Sequence, residues 1–170
     1  GQVCTANERT YVHEAVYDRF AKSLRARMEK LKVGDPLHES TDMGPKVSLT
    51  ELEKVDAMVQ KAVAQGATLE LGGHRLQGGA YDRGTYYAPT LLSNVRHGMD
   101  IVRDEVFGPV LSLLKVRDFD EALKLANESQ YGLSAYLFTQ APGRVLRLKR
   151  ALEFGDIYVN RCAGVDTPGF

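Results

Sequence analysis

Two short stretches of the chain carry residue types that could do chemistry. The first is Gly1-Gln2-Val3-Cys4-Thr5-Ala6-Asn7-Glu8. A thiolate attacks carbonyl carbon well and leaves readily from the thioester that results. Small or polar neighbours give the Cys4 sulfur room to meet a ligand, and Gly1 lets the backbone approach closely. The competing reading is a small buried hydrophobe, the usual fate of an intracellular cysteine. The second stretch is Asp104-Glu105-Val106-Phe107-Gly108-Pro109-Val110, which runs straight into apolar sequence. An acidic pair, an aromatic ring and Gly-Pro make a rigid loop with a carboxylate and a flat face side by side. A carboxylate accepts hydrogen bonds from two adjacent hydroxyls while a ring packs on the ligand, so the loop suits a polyhydroxylated ring system. On composition alone the stronger alternative is a turn whose Phe plugs the core and whose acids are solvated.

Other candidates are weaker. His13, His38, His74 and His97 are widely spaced and never pair at i, i+3 or i, i+4, so no metal site is expected. A Cys4–His dyad, as in a cysteine hydrolase, is the rival chemistry, but no His lies in a stretch that reads as a site. Cys162 follows Arg161, which could lower its pKa and make it redox-sensitive. A small loop residue is the better description. The glycines Gly72, Gly73, Gly78, Gly79 and Gly84 do not form G-x-G-x-x-G and no helix follows them, so a solvent-facing excursion is expected rather than a phosphate cradle.

The elements that must position these residues follow from periodicity. A strand is expected over 8–13, then a helix over 14–32 with Val16, Phe20, Leu24, Met28 and Leu31 as its apolar stripe. Ser48 and Glu51 have capping-box spacing ahead of a second helix that buries Leu52, Val55, Val59 and Ala62. Short strands are expected over 68–71 and within 86–95, with Pro89 arguing for an edge or a strand start. Residues 110–116 are nearly continuous apolar sequence, as in a strand covered on both faces. Asp118 and Glu121 cap a third helix lined by Phe119, Ala122, Leu123 and Ala126, and a strand follows over 133–138. Pro142 starts a fourth helix with Val145, Leu148 and Leu152 inward, and residues 157–159 make a last strand. The order strand, helix, strand, helix, strand after residue 109 predicts right-handed crossovers and a mostly parallel sheet with helices against it, an α/β fold. Sites in such folds lie at the carboxyl ends of the strands.

Composition sets bounds. The 170 residues suffice for one domain with a real core. Basic and acidic residues balance at 22 each, which gives no electrostatic case for nucleic acid or an anionic membrane. No apolar run approaches the roughly 20 residues that span a bilayer, and no signal peptide is visible. Two cysteines make no disulfide framework, so a reducing cytoplasm is expected. The chain begins with Gly and ends at Gly169-Phe170, and both ends read as cut from a longer polypeptide.

Taken together, the two stretches resemble the signatures of the NAD(P)-dependent aldehyde dehydrogenases. Gly1-Gln2-Val3-Cys4 with Thr5-Ala6 resembles the family's cysteine motif, and Glu105-Val106-Phe107-Gly108-Pro109-Val110 its second signature, with Phe107 placed 103 residues beyond Cys4. Gly44-Pro45, Gly72-Gly73, Tyr87-Ala88-Pro89-Thr90, Ala126-Asn127, Tyr131-Gly132-Leu133-Ser134-Ala135 and Val159-Asn160 also match in order, so the resemblance covers essentially the whole chain.

The resemblance implies a three-layer α/β catalytic domain over 1–170, truncated at both ends, with the dinucleotide-binding and oligomerisation segments absent. Cys4 would attack an aldehyde to give a thiohemiacetal and then a thioester, and its own N–H would supply half of an oxyanion hole. Glu105 would bind the ribose of the nicotinamide half of NAD (or NADP), and Phe107 would pack near the ring. Asn160 would fall in a loop near the substrate. The family's general base, oxyanion asparagine and dinucleotide-binding lysine lie upstream, so the isolated chain is expected to have no turnover. A non-catalytic remnant serving as a structural or interaction module is the alternative. Val159-Asn160-Arg161 and Gly169-Phe170 lean towards small hydroxyaldehydes such as lactaldehyde or glycolaldehyde, with semialdehydes close behind. The parent would be a homodimer or homotetramer.

Overall fold

The structure, a computed structural model, describes residues 1–161. Two compact units divide the chain, Gly1–Val116 and the part from Arg117 onward.

The first unit is built on a four-stranded sheet of order β1-β4-β3-β2, with β1 at Arg9–His13, β2 at Thr68–Leu71, β3 at Thr90–Ser93 and β4 at Val110–Val116. β4 is parallel to both β1 and β3, whereas β2 runs antiparallel to β3. The apolar run of β4 is explained by cover on both faces. On one face Val110 and Leu114 pack with Leu52, Val55, Val59 and Ala62 of α2 (Leu49–Ala64) and with Ile101 and Val102 of α3 (Asp100–Arg103). On the other, Leu113 packs with Val12, Leu91, Tyr17 and Met28, the last two on α1 (Glu14–Met28). The alternation along β4 thus sorts side chains into two cores, and helices on each side complete three layers. Val55, Leu91, Leu92 and Leu113 are fully enclosed. Each such side chain contributes about 1.5–3 kcal/mol relative to exposure.

Local sequence explains the element ends. The Ser48 hydroxyl accepts from the Glu51 N–H at 3.2 Å, the cap that the spacing predicts. Pro89 sits immediately before β3, so its missing N–H costs no bond within the strand. α1 departs from expectation in two ways. It ends at Met28, where Lys30 and Leu31 turn back onto Arg27 and Met28 through bonds of 3.2 and 3.1 Å. Its inward face is Tyr17, Ala21, Leu24 and Met28, while Val16, Phe20 and Leu31 are exposed. Tyr17 decides that rotation: its ring is buried and its hydroxyl donates to the Leu113 carbonyl at 3.2 Å. The short α3 was not foreseen, because four residues carry too little periodicity.

The second unit holds α4 (Phe119–Asn127), β5 (Ser134–Leu137), α5 (Pro142–Ala151) and β6 (Asp156–Val159). Asp118 caps α4 by accepting from Glu121 N–H at 2.8 Å, and Pro142 opens α5. β5 and β6 pair parallel with each other in a sheet of their own. The expected single series of crossovers from β4 through β5 to β6 is therefore not formed by direct pairing, since β1 and β3 occupy both edges of β4. Leu148 on α5 and Leu152 just past its end are buried, as their spacing predicts.

Candidate active site

Cys4 lies in a tight turn closed by a 2.9 Å bond from the Ala6 N–H to the Val3 carbonyl, with Cys4 and Thr5 at its centre. Its thiol is free and exposed in this chain. The turn is held on three sides. The Gln2 amide donates to the Pro45 carbonyl at 3.0 Å and accepts from the Val47 N–H at 2.8 Å. Gly1 lies so close to the Gly108 carbonyl that a Cβ would overlap it. The Glu8 carboxylate accepts from the N–H groups of Phe107 at 2.8 Å and Val106 at 3.1 Å. Residues on both sides of Cys4 are thus fastened to the 106–109 loop. Three residues of chain reach at most about 11 Å, so Cys4 stays beside that loop.

The loop itself is held from behind. Phe107 has φ +51°, a left-handed conformation that costs a non-glycine residue about 1–2 kcal/mol. Its own N–H and that of Val106 donate to Glu8, and its carbonyl accepts from the Lys46 ammonium. Lys46 is only 4% exposed. Burial pushes its pKa down, against the attraction of Glu51 and Glu8, and Lys54 adds to the depression. Lys46 is anchored in turn by its N–H on the Thr85 carbonyl at 2.8 Å. Gly108 has no room for a side chain, since a Cβ would stand 2.6 Å from a Val55 methyl. With its backbone so occupied, the loop leaves Glu105 exposed and Phe107 only partly buried.

The two expected signature stretches are therefore brought together. Glu8 and Lys46, which do the joining, were not singled out beforehand. Glu8 reads as the start of a strand and Lys46 as one more loop lysine, and only partners 98, 99 and 61 residues away reveal them. The histidines are scattered: the His13 ring caps α1, His38 bonds Ser40 and His74 bonds Gly72. No cluster suited to a metal exists among the described residues. Asn160 lies in the second unit and spends its side-chain amide on the Thr139 backbone. Cys162, Gly169 and Phe170 lie outside the described residues. A cleft of about 350 Å³, lined by Tyr17, Arg25, Glu70 and Lys115 among others, contains none of the expected site residues. No helix among the described residues is long and apolar enough to cross a membrane.

The first unit is thus a three-layer α/β body that sets an exposed cysteine beside a clamped acidic–aromatic Gly-Pro loop. Over residues 1–170 the chain belongs to the aldehyde dehydrogenase family. It is 45% identical over its whole length to a 3,6-anhydro-alpha-L-galactose dehydrogenase of Vibrio sp. strain EJY3, covering 35% of that protein. A solved 3,6-anhydro-L-galactose dehydrogenase in complex with NAP superposes with a TM-score of 0.95 at 47% identity, over 100% of this chain and 36% of that one. Lactaldehyde dehydrogenase from Escherichia coli gives 0.92 at 38% identity, over 100% and 35%. The chain thus spans about a third of the length of the relatives it matches.

Proposed function

We propose that this chain is the nucleophile-bearing part of an NAD(P)-dependent aldehyde dehydrogenase, with Cys4 as nucleophile and Glu105 and Phe107 at the nicotinamide end of the cofactor. The observation that carries the reading is the Glu8 carboxylate on the Val106 and Phe107 N–H groups, which ties the cysteine turn to the second signature. The residues present fit the nicotinamide ribose: the exposed Glu105 and the partly buried Phe107 stand on a backbone already satisfied from behind. They do not fit the pyrophosphate, since Gly78 and Gly79 border open space and lead only into a short 3-10 turn.

In this reading the Cys4 sulfur bonds to the aldehyde carbon, and the Cys4 backbone N–H steadies the oxygen of the thiohemiacetal. NAD(P)+, when bound, would supply the acceptor for the hydride of that carbon; with the hydroxyl proton passing to water, Cys4 would then carry the acyl group as a thioester. Water then cleaves the thioester, releasing a carboxylic acid and the thiol. Glu105 would accept hydrogen bonds from the ribose hydroxyls, and the Phe107 ring would pack near the nicotinamide. A reducing cytoplasm keeps the exposed thiol of Cys4 ready for this role. The assembled enzyme is a homodimer or homotetramer, as the family resemblance implies. Small hydroxyaldehydes are the favoured substrates, in keeping with the name of the lactaldehyde dehydrogenase matched above.

The test is Cys4→Ser in the protein expressed at the full length its gene encodes, since the 170 residues alone give no turnover on this reading. Formation of reduced nicotinamide from lactaldehyde should fall by at least about 10³-fold, as expected when a covalent nucleophile is removed. A variant that keeps a tenth of the rate would sink the assignment.

A further inference from the structure

We propose that Glu8 is a positioning residue for cofactor capture, acting with Lys46 to hold Phe107 in its left-handed conformation. The inference rests on the function proposed above and adds the parts that set its loop. Phe107 has no polar side-chain atom that could stabilise φ +51° locally. Two groups of opposite charge do so from outside. The Glu8 carboxylate takes the N–H groups of Val106 and Phe107, and the Lys46 ammonium takes the Phe107 carbonyl. Charge-assisted hydrogen bonds are about twice as strong as neutral ones, so these restrain the consecutive peptide groups around Phe107.

Released from them, Phe107 relaxes towards negative φ. That rotation swings its ring and moves Glu105 two residues away. The Cys4 turn has fastenings of its own, through Gln2 to Pro45 and Val47 and through Gly1 against Gly108. Losing Glu8 therefore harms the cofactor side first and the nucleophile little. Glu8 also belongs to the same eight residues as Cys4, so the nucleophile's own segment sets the loop that receives the nicotinamide.

Glu8→Gln in the full-length enzyme tests this. The amide keeps the size and one acceptor but cannot take both N–H groups as a charged acceptor. kcat/KM for NAD(P)+ should fall about tenfold, the scale of a lost bond to a charged group. The KM for the aldehyde should stay within twofold. The burst of p-nitrophenolate from p-nitrophenyl acetate, which needs the thiol and no nicotinamide, should keep its rate and amplitude. Lys46→Met should show the same split, and it decides the question should Glu8→Gln fail to fold. Unchanged cofactor kinetics, or a burst that falls in step with them, would overturn the proposal. A Cys4→Ser enzyme that keeps its burst and turnover sinks the proposed function. A dead Cys4→Ser enzyme beside an unaffected Glu8→Gln enzyme sinks only the role of Glu8.

Discussion

Phe107 and Asn160 share a backbone conformation, at φ +51° and +53°, yet they reach it by opposite means. Asn160 is held by itself. Its side-chain oxygen accepts from the Thr139 N–H and its amide donates to the Thr139 carbonyl, both at 2.9 Å, while its own N–H reaches the Leu137 carbonyl at 2.8 Å. A short polar side chain that bonds locally is the usual reason a non-glycine residue tolerates this region. Phe107 has no such means and is held by Glu8 and Lys46, brought in from far along the chain. Strain that a residue relieves with its own side chain closes a turn. Strain imposed on an aromatic residue by two remote charges fixes where a ring and its neighbours stand, which is the pattern expected where a ligand must be met.

The largest expected break of that comparison is Gly1→Ala in the full-length protein. Its Cβ would overlap the Gly108 carbonyl, and backbone cannot step aside as a side-chain end can. The cysteine turn must lift off the loop, and misplacement by an ångström at a reacting centre can cost about 100-fold in rate. Steady-state turnover within a few-fold of the parent would show that the close approach at Gly1 is dispensable.

Asn160→Ala sharpens the other side. It removes both bonds to Thr139 and leaves alanine in a left-handed conformation, so stability measured by chemical denaturation should drop by about 2 kcal/mol. The KM for NAD(P)+ should not move. A fall in kcat/KM for NAD(P)+ comparable to that expected for Glu8→Gln would erase the distinction between the two positions.

The sequence carried most of the local structure because the signals are local. Ser48 with Glu51, Asp118 with Glu121, and Pro142 at a helix start each act within one turn, and the structure has all three caps or starts in place. The stripe of α2 was equally clear, since Leu52, Val55, Val59 and Ala62 repeat at helical spacing with no competing face. α1 offered two apolar faces, and the choice between Val16-Phe20 and Tyr17-Ala21 was made by a tyrosine hydroxyl finding a strand carbonyl. Strand pairing was the least legible. A run of apolar residues at 110–116 reveals burial on both faces but not which strands lie at its edges. The site divides the same way. Cys4, Glu105 and Phe107 stand out by residue type and resemblance, whereas Glu8 and Lys46 act on peptide groups, which leave no mark in a sequence.

A smaller effect is expected at Asp100, the first residue of α3, just ahead of the clamped loop. Its carboxylate takes Lys61 at 2.7 Å and the Gln65 amide at 2.9 Å, and it also pairs with Arg103. The hydrogen bond from Lys61, then those from Gln65 and the charge of Arg103, hold its pKa below the ordinary aspartate value against some desolvation. A carboxyl whose pKa is lower folded than unfolded adds stability above the unfolded value, near pH 4, and loses it as the pH falls through the folded value. Asp100→Asn should therefore be slightly less stable than the parent at neutral pH, and the two denaturation midpoints should converge below about pH 4. A constant gap across that range would mean that packing, not charge, joins α3 to α2. Because α3 supports the loop only from one end while Glu8 and Lys46 hold Phe107 itself, any change in cofactor KM should be smaller than that of Glu8→Gln. An equal change would move the restraint on Phe107 from the two remote charges to the helix before it.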